Sequence, residues 1–432
     1  MKENILNCSC TNNDIPFEFN HYKMKELEGD YGSSFYIFDV EKLRENYQKL
    51  MLAFKSRYEN FIIGYSYKTN YLPFLCKELS KLGTYAEVVS RLEYDLALKI
   101  GVEPGKIIFN GPLKSKDDIF YALNHESMVN IDSKYELEYV KDFAKIQSNR
   151  QVKIGIRLNF DISHGGVSYL QDGYQVSRFG ICVENGNLQT LLAEINEVRN
   201  ISVVGLHGHF STKNRCLETY KKITQTLCQI SKDISNNQIE YIDIGGGIYG
   251  ELPRIFQKKA PTFDDYAEVI CEIMNKEFLD QKRMPALILE PGISLVANVF
   301  YFVAKVIDVK NIQDHIFVLV DGSVHNVKPT MHKNIMPMRI IRRKEGTLGK
   351  RVFNIVGFTC MEKDYLAYEI YDALPQRDDY IIFENVGAYT IVFNPPFIKE
   401  RPPIIAADNT QIFVVREKET IKQFFNEELY KF

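Results

Sequence analysis

The sequence predicts an α/β fold: a closed (β/α)8 TIM barrel followed by a C-terminal β-rich domain. Three observations predict it. Apolar strand-like runs and amphipathic helical runs alternate eight times between about Val40 and Gly292. Such alternation implies a parallel sheet, and eight units imply a closed barrel more than an open doubly wound sheet. After about Ser294 the alternation stops, and strand-like runs follow with few helices between them. Finally, polar and glycine residues gather where the barrel strands end, the rim on which barrel enzymes build their sites. The expected division is 1–40 as strands joining the β-domain, 41–295 as the barrel and 296–432 as the β-domain.

Taken in order, residues up to about Asp14 are polar. Pro16 to Phe19 and Ser34 to Phe38 read as short strands with no place in the barrel count. The barrel strands are expected at 61–67, 85–90, 106–110, 128–132, 151–158, 201–209, 239–244 and 286–290. Thr262-Phe-Asp-Asp265 is a capping-box-like helix start, followed by one apolar face of Tyr266, Val269, Ile270, Ile273 and Met274. Ser133-Lys-Tyr-Glu136 starts another helix in the same way. The β-domain strands are expected at 300–308, 315–320, 351–356, 380–383 and 411–415, with a final helix from Ile421 to Tyr430.

Composition excludes several classes. The 432 residues carry a net charge of -3, so no basic footprint points to nucleic acid. No apolar run is long enough to span a membrane, and the N-terminal segment lacks a signal-peptide apolar stretch. The eight cysteines are scattered without a CxxC pair, which fits reduced thiols in the cytoplasm. The eight histidines lack ligand spacing, so no metal is expected.

Lys68 closes the first barrel strand, in the stretch Tyr65-Ser-Tyr-Lys-Thr-Asn70 that follows the apolar run Phe61 to Gly64. Lysine is costly to bury, so it either snorkels to the surface or serves as a pocketed nucleophile, for instance toward an aldehyde cofactor. The other strand ends carry Glu87-Val-Val-Ser90, Asn110-Gly111, Arg157-Leu-Asn159, His207-Gly-His209, Gly245-Gly246-Gly247 and Glu290-Pro-Gly292. The glycine triplet is either a tight turn or a nest of free backbone N–H groups for an anion. Two histidines at i, i+2 face one side of a strand, here the barrel interior.

These residues resemble the fold-type III pyridoxal-phosphate decarboxylases, the family of diaminopimelate, ornithine and arginine decarboxylases, from about residue 33 to about 400. Tyr65-Ser-Tyr-Lys-Thr-Asn70 resembles the family's cofactor-lysine motif. Glu87-Val-Val-Ser90, Ile107 to Lys114, Arg157-Leu-Asn159 and Ser177-Arg-Phe-Gly180 match its next blocks in order. His209-Phe-Ser-Thr212 resembles the block whose histidine stacks on the cofactor ring, and Asp243-Ile-Gly-Gly-Gly247 the phosphate loop. Glu290-Pro-Gly292 resembles the block whose glutamate pairs with the pyridine nitrogen. Gly357-Phe-Thr-Cys360 and Gly387-Ala-Tyr389 match blocks that complete the partner subunit's site and contact phosphate.

The resemblance implies pyridoxal 5'-phosphate as cofactor and a homodimer with shared active sites. It implies Lys68 and Cys360 as catalytic residues. Lys68 holds the cofactor until the substrate's α-amine displaces it, and Cys360 returns a proton to Cα; otherwise Cys360 is a small buried hydrophobe. The cofactor-binding set is then Lys68, Glu87, Arg157, His209, Thr212, Gly245, Gly246, Gly247, Glu290, Gly292 and Tyr389. Arg157 orients His209 or the cofactor, or forms a structural salt bridge. The departures lie toward the distal end of the substrate. The family's arginine after Glu-Pro-Gly is Ile293, its acidic residue after the cysteine is Met361 with Glu362 one step on, and its R-P-x-x-Y segment corresponds to Lys328-Pro-Thr-Met-His332. Met361, Glu362 and His332 are therefore the expected substrate contacts. The expected reaction is decarboxylation of an amino acid or amino-acid conjugate, with a carboxylated siderophore-type intermediate placed first and diaminopimelate as the alternative. A racemase and a non-catalytic relative are the rival classes.

Overall fold

The computed structural model describes residues 19–432 except 164, 235–238, 254–255, 257–258, 280–283, 333 and 345–348. The chain opens with α1 (His21–Tyr31), β1 (Ser34–Asp39) and α2 (Val40–Lys55). Asn20 caps α1 by accepting from the Lys23 amide, and Gly32 ends it at φ 90°. The expected strand at Pro16 to Phe19 and the polar segment before it lie outside the described residues, apart from Phe19 itself.

Eight parallel strands then close a barrel: β2 (Phe61–Ser66), β3 (Tyr85–Val88), β4 (Ile107–Phe109), β5 (Met128–Ile131), β6 (Val152–Asn159), β8 (Ile201–His207), β9 (Tyr241–Asp243) and β10 (Ala286–Leu289). Each pairs with the next, and β10 pairs with β2 to complete the ring. A two-residue strand, β7 (Ile181–Cys182), adds to the edge of β6. The helix after each barrel strand is in turn α3 (Pro73–Lys81), α4 (Arg91–Lys99), α5 (Lys116–Asn124), α6 (Lys134–Ile146), α7 (Asn187–Asn196), α8 (Leu217–Asp233), α9 (Phe263–Phe278) and the short α10 (Ile293–Val296). Thr262 and Asp265 form the reciprocal cap of α9. At α6 the cap differs from expectation. Ser133 makes no side-chain cap, and Glu136 instead accepts from the Asp132 amide at 2.8 Å and pairs with Lys114. Inside the barrel, Ile108, Tyr241 and Ile288 pack together, and Gly155 and Gly205 leave room for Tyr241. A Cβ on Gly205 would sit 1.8 Å from the Tyr241 ring.

The strands after the barrel are β11 (Phe300–Ile312), β12 (His315–Val320), β13 (Met338–Ile341), β14 (Lys350–Val356), β15 (Tyr365–Ala373), β16 (Tyr380–Glu384), β17 (Ile404–Ala407) and β18 (Ile412–Arg416), with a short helix α11 (Val324–Val327) after β12. They form one sheet, ordered β15-β14-β12-β11-β1-β17-β18, while β16 pairs with both β11 and β13. β1 is thus a central strand, antiparallel to β11 and parallel to β17. Met24 and Leu27 of α1 pack on Phe35, Ile37, Val303 and Ile382 of this sheet. Burying each such side chain contributes roughly 1.5–3 kcal/mol. The described residues of 46–252 and 258–295 form one compact unit, and those of 19–45, 253–257 and 296–432 form another. The final helix is shorter than expected: α12 spans Ile421–Phe424 only. Asn426 ends it by turning its side chain onto the Glu428 amide, a local bond that competes with helix. No helix among the described residues is long and apolar enough to cross a membrane.

Candidate active site

The C-terminal rim of the barrel gathers Lys68, Glu87, Arg157, His207, His209, Asp243, Gly245 and Glu290. The apolar strand β2 runs Lys68 into a single 3-10 turn, Tyr67–Thr69, where its side chain is 34% exposed. The amine donates to Glu87 Oε2 at 2.6 Å, and Ser66 Oγ donates to the same oxygen at 2.5 Å. Glu87 is nearly fully buried in β3, so its charge is matched by hydrogen bonds rather than by water. Asn110, just past β4, donates to Glu87 Oε1 at 3.1 Å and to Glu290 Oε1 at 2.5 Å.

Glu290 follows β10 and is 3% exposed. Burial acts to raise its carboxyl, but His207 and Lys68 nearby outweigh burial and hold it below the usual carboxylate range. Burial and the charge of Glu290 push Asp243 well above that range. His207 Nε2 lies 3.5 Å from Glu290 Oε2. His207, Asp243 and Glu290 offer atoms within 4.8 Å of one another, close enough for metal ligands.

His209 lies two residues past the end of β8, so only His207 belongs to the strand. The two rings lie 6.4 Å apart and 24° from parallel. Burial and the Arg157 charge lower the His209 pKa to about 3, so the ring is neutral, and its Nδ1 accepts from the Gly246 amide at 3.0 Å. Arg157 donates to Asp132 Oδ1 at 3.1 Å and to the His209 carbonyl at 3.0 Å. Arg157 thus forms a buried salt bridge and also reaches the His209 backbone.

The glycine loop is more committed than three free amides. Gly245 N–H donates to Asp243 Oδ1 at 2.9 Å, and Gly246 N–H is taken by His209. Its glycines are nonetheless required. Gly245 and Gly247 have φ of 70° and 91°, and a Cβ on Gly246 would lie 2.1 Å from the Glu290 carbonyl oxygen. Gly292 lets Thr69 approach within 2.0 Å of where its Cβ would stand. Thr212 follows in the loop after β8 and bridges to Leu170.

Cys360, Met361, Glu362, His332 and Tyr389 belong to the β-rich unit. Cys360 is a free, exposed thiol in the turn between β14 and β15, so it is not a buried hydrophobe within this chain. Asp364 clamps that turn: its carboxylate accepts from Thr359 N and Oγ1 at 2.9 and 2.6 Å and from the Val324 amide at 2.7 Å. Met361 is half-buried, while Glu362 and His332 are exposed. Tyr389 stacks on Phe393 with its backbone at φ 57°.

The rim fits a ring that bears an aldehyde, a basic nitrogen and an anionic arm. It has an amine, a buried ionised carboxylate and a loop only glycine can form. Sequence reading assigns no residue from the fourth barrel strand, yet β5 supplies Asn130 and the next turn Asp132. It also passes over Tyr241, and it names Asn110 at a strand end and Lys114 in a motif block without assigning either a role. The signal of Asn130 and Tyr241 is only a polar side chain inside an apolar strand.

Comparison with known proteins agrees with this rim. The family model described as pyridoxal-dependent decarboxylase, pyridoxal binding domain, matches residues 42–297, more than half the chain. Diaminopimelate decarboxylase of Methanocaldococcus jannaschii is 28% identical over 419 residues, covering 94% of this chain and 93% of that one. The namesake from Aquifex aeolicus is 26% identical over 404 residues, covering 92% and 91%. The crystal structure of the M. jannaschii enzyme superposes with a TM-score of 0.84 over 94% of each chain, at 28% identity.

Proposed function

Because this chain belongs to the pyridoxal-dependent decarboxylase family, a premise that makes it a carboxy-lyase using pyridoxal 5'-phosphate, we propose that its substrate is diaminopimelate. What supports this is agreement along more than nine tenths of both chains with enzymes of that name. The siderophore-type substrate, placed first from sequence, has no support among these relatives, and the diaminopimelate alternative takes its place.

Pyridoxal phosphate, when bound, supplies an electron sink for the pair left behind as CO2 departs. The chain's own residues do the rest. Glu87 Oε2, 2.6 Å from Lys68 Nζ, is placed to take the ammonium proton and free the amine as a nucleophile. Glu290 keeps negative charge where a ring nitrogen would need it to stay protonated. His209, neutral and flat beside His207, offers a ring face for packing. Gly245 to Gly247, Thr212 and Tyr389 would hold the phosphate, with Gly292 giving the close approach. Cys360 of a partner subunit would return a proton to Cα, which requires a homodimer. The free cysteines among the described residues suit a reducing cytoplasm.

The distal end of the substrate is held differently from the family pattern. Met361 stands where the family has an acid, and a thioether is only a weak acceptor. The test is CO2 release from meso-diaminopimelate, ornithine, lysine and Nε-acylated lysine, with borohydride trapping mapped by mass spectrometry. We expect diaminopimelate to be turned over fastest, the trapped label on Lys68, and Met361→Glu to change kcat/KM for free diamines by about tenfold or more. Faster turnover of an acylated substrate would overturn the assignment.

A further inference from the structure

A buried polar chain runs along the inside of the barrel beneath the two carboxylates. Tyr241 Oη donates to Asn130 Oδ1 at 2.7 Å, Asn130 Nδ2 donates to Asn110 Oδ1 at 2.8 Å, and Asn110 Nδ2 donates to both Glu87 and Glu290. The three are 4%, 1% and 3% exposed. We propose that Tyr241, Asn130 and Asn110 are positioning residues, a one-way hydrogen-bond chain that fixes Glu87 and Glu290 relative to each other and stabilises Glu290 in its charged form.

The direction is forced from the top. Two carboxylates accept only, so Asn110 must turn its NH2 toward them. Its carbonyl oxygen then faces Asn130, which must donate, and the Asn130 oxygen faces Tyr241, which must donate in turn. All dipoles therefore point their positive ends at the carboxylates. Aligned bonds of this kind polarise one another in a low-dielectric interior. One amide group offers two protons, and here each goes to a different acid, which sets the spacing between Glu87, which holds the Lys68 amine, and Glu290.

Room for the chain is cut into the strands. A Cβ on Gly155 would lie 1.9 Å from Asn130 Oδ1 and 2.1 Å from Tyr241 Oη, and one on Gly205 would lie inside the Tyr241 ring contact. Two inward glycines weaken their strands, and both face this chain. Tyr241 itself lines a cavity of about 580 Å³ together with the opening residues of β3, β5, β6 and β10. The chain thus links the opposite mouth of the barrel to the site.

The inference rests on reading Glu87 and Glu290 as cofactor residues. Tyr241→Phe keeps the ring and removes the first donor. We expect the affinity of the cofactor-free protein for pyridoxal phosphate to fall about threefold to tenfold, the worth of one such bond. We also expect the pH midpoint of the bound chromophore to move, and kcat to fall with KM held within about twofold. Asn110→Asp, of the same shape, replaces the shared donor by a third acid and should weaken cofactor affinity further; it answers the question if the phenylalanine variant does not fold. Unchanged affinity, midpoint and kcat in a variant that only melts earlier would overturn the chain as a positioning device. Failure of the unmodified protein to bind pyridoxal phosphate would instead overturn the functional reading, and is measured first.

Discussion

His209 is kept neutral by its surroundings, and that has a sign. Its folded pKa is about 3 against an ordinary 6.5, so between those values the unfolded chain binds the extra proton. Stability from this residue is fully present above about pH 6.5 and is lost as pH falls toward about 3. The ring keeps some exposure, which discounts the effect to on the order of 1–2 kcal/mol between pH 7 and 5. Denaturant unfolding of the cofactor-free protein at both pH values should show this loss, and His209→Asn should remove it. Equal losses in the two proteins would mean that another group carries the acid sensitivity. The same neutrality leaves Nδ1 free to accept from Gly246, so one residue both faces the ring site and pins the glycine loop.

At the scale of elements, the helix start after β5 does more than begin a helix. Glu136 of α6 and Lys114 of the β4–α5 turn form a fully buried pair at 3.1 Å, and Lys114 also donates to the Gly111 carbonyl at 2.7 Å. Burial alone favours the neutral form of each, and each charge offsets that for the other. Lys114→Met should cost about 3–5 kcal/mol because it strands a buried carboxylate, and Lys114→Met with Glu136→Leu should recover most of it. A double variant as unstable as the single would assign the stability to the Gly111 contact instead. This pair also shows what sequence can and cannot say. Lys68, the glycine triplet and Glu290 are legible because strand ends place them in a readable order. Glu136 reads from sequence as an ordinary capping residue, since only the third dimension brings Lys114 to it. Asn130 and Tyr241 are opaque for the same reason: an inward side chain on a short strand has no period to announce it. Strands β13 and β17 are too short to show alternation, α1 has a weak apolar face, and the end of α12 turned on one asparagine.

For the whole molecule, the proposal that Cys360 of a second subunit completes the site predicts that activity is a property of the dimer. Lys68→Ala and Cys360→Ala should each be inactive alone. After random subunit exchange half the dimers are hybrids with one intact site, so about a quarter of full activity should return. No recovery after exchange verified by mass spectrometry would place both residues in one subunit's site. The connectivity of the chain carries a consequence for synthesis. β1 is the central strand of the β-rich sheet, yet its neighbours β11 and β17 lie beyond the entire barrel in sequence. During translation the barrel can close once β10 emerges, while β1 waits with both edges unpaired. The first of the described strands is among the last to be paired, so the lifetime of that waiting strand, and not the barrel, sets when a nascent chain is safe from aggregation.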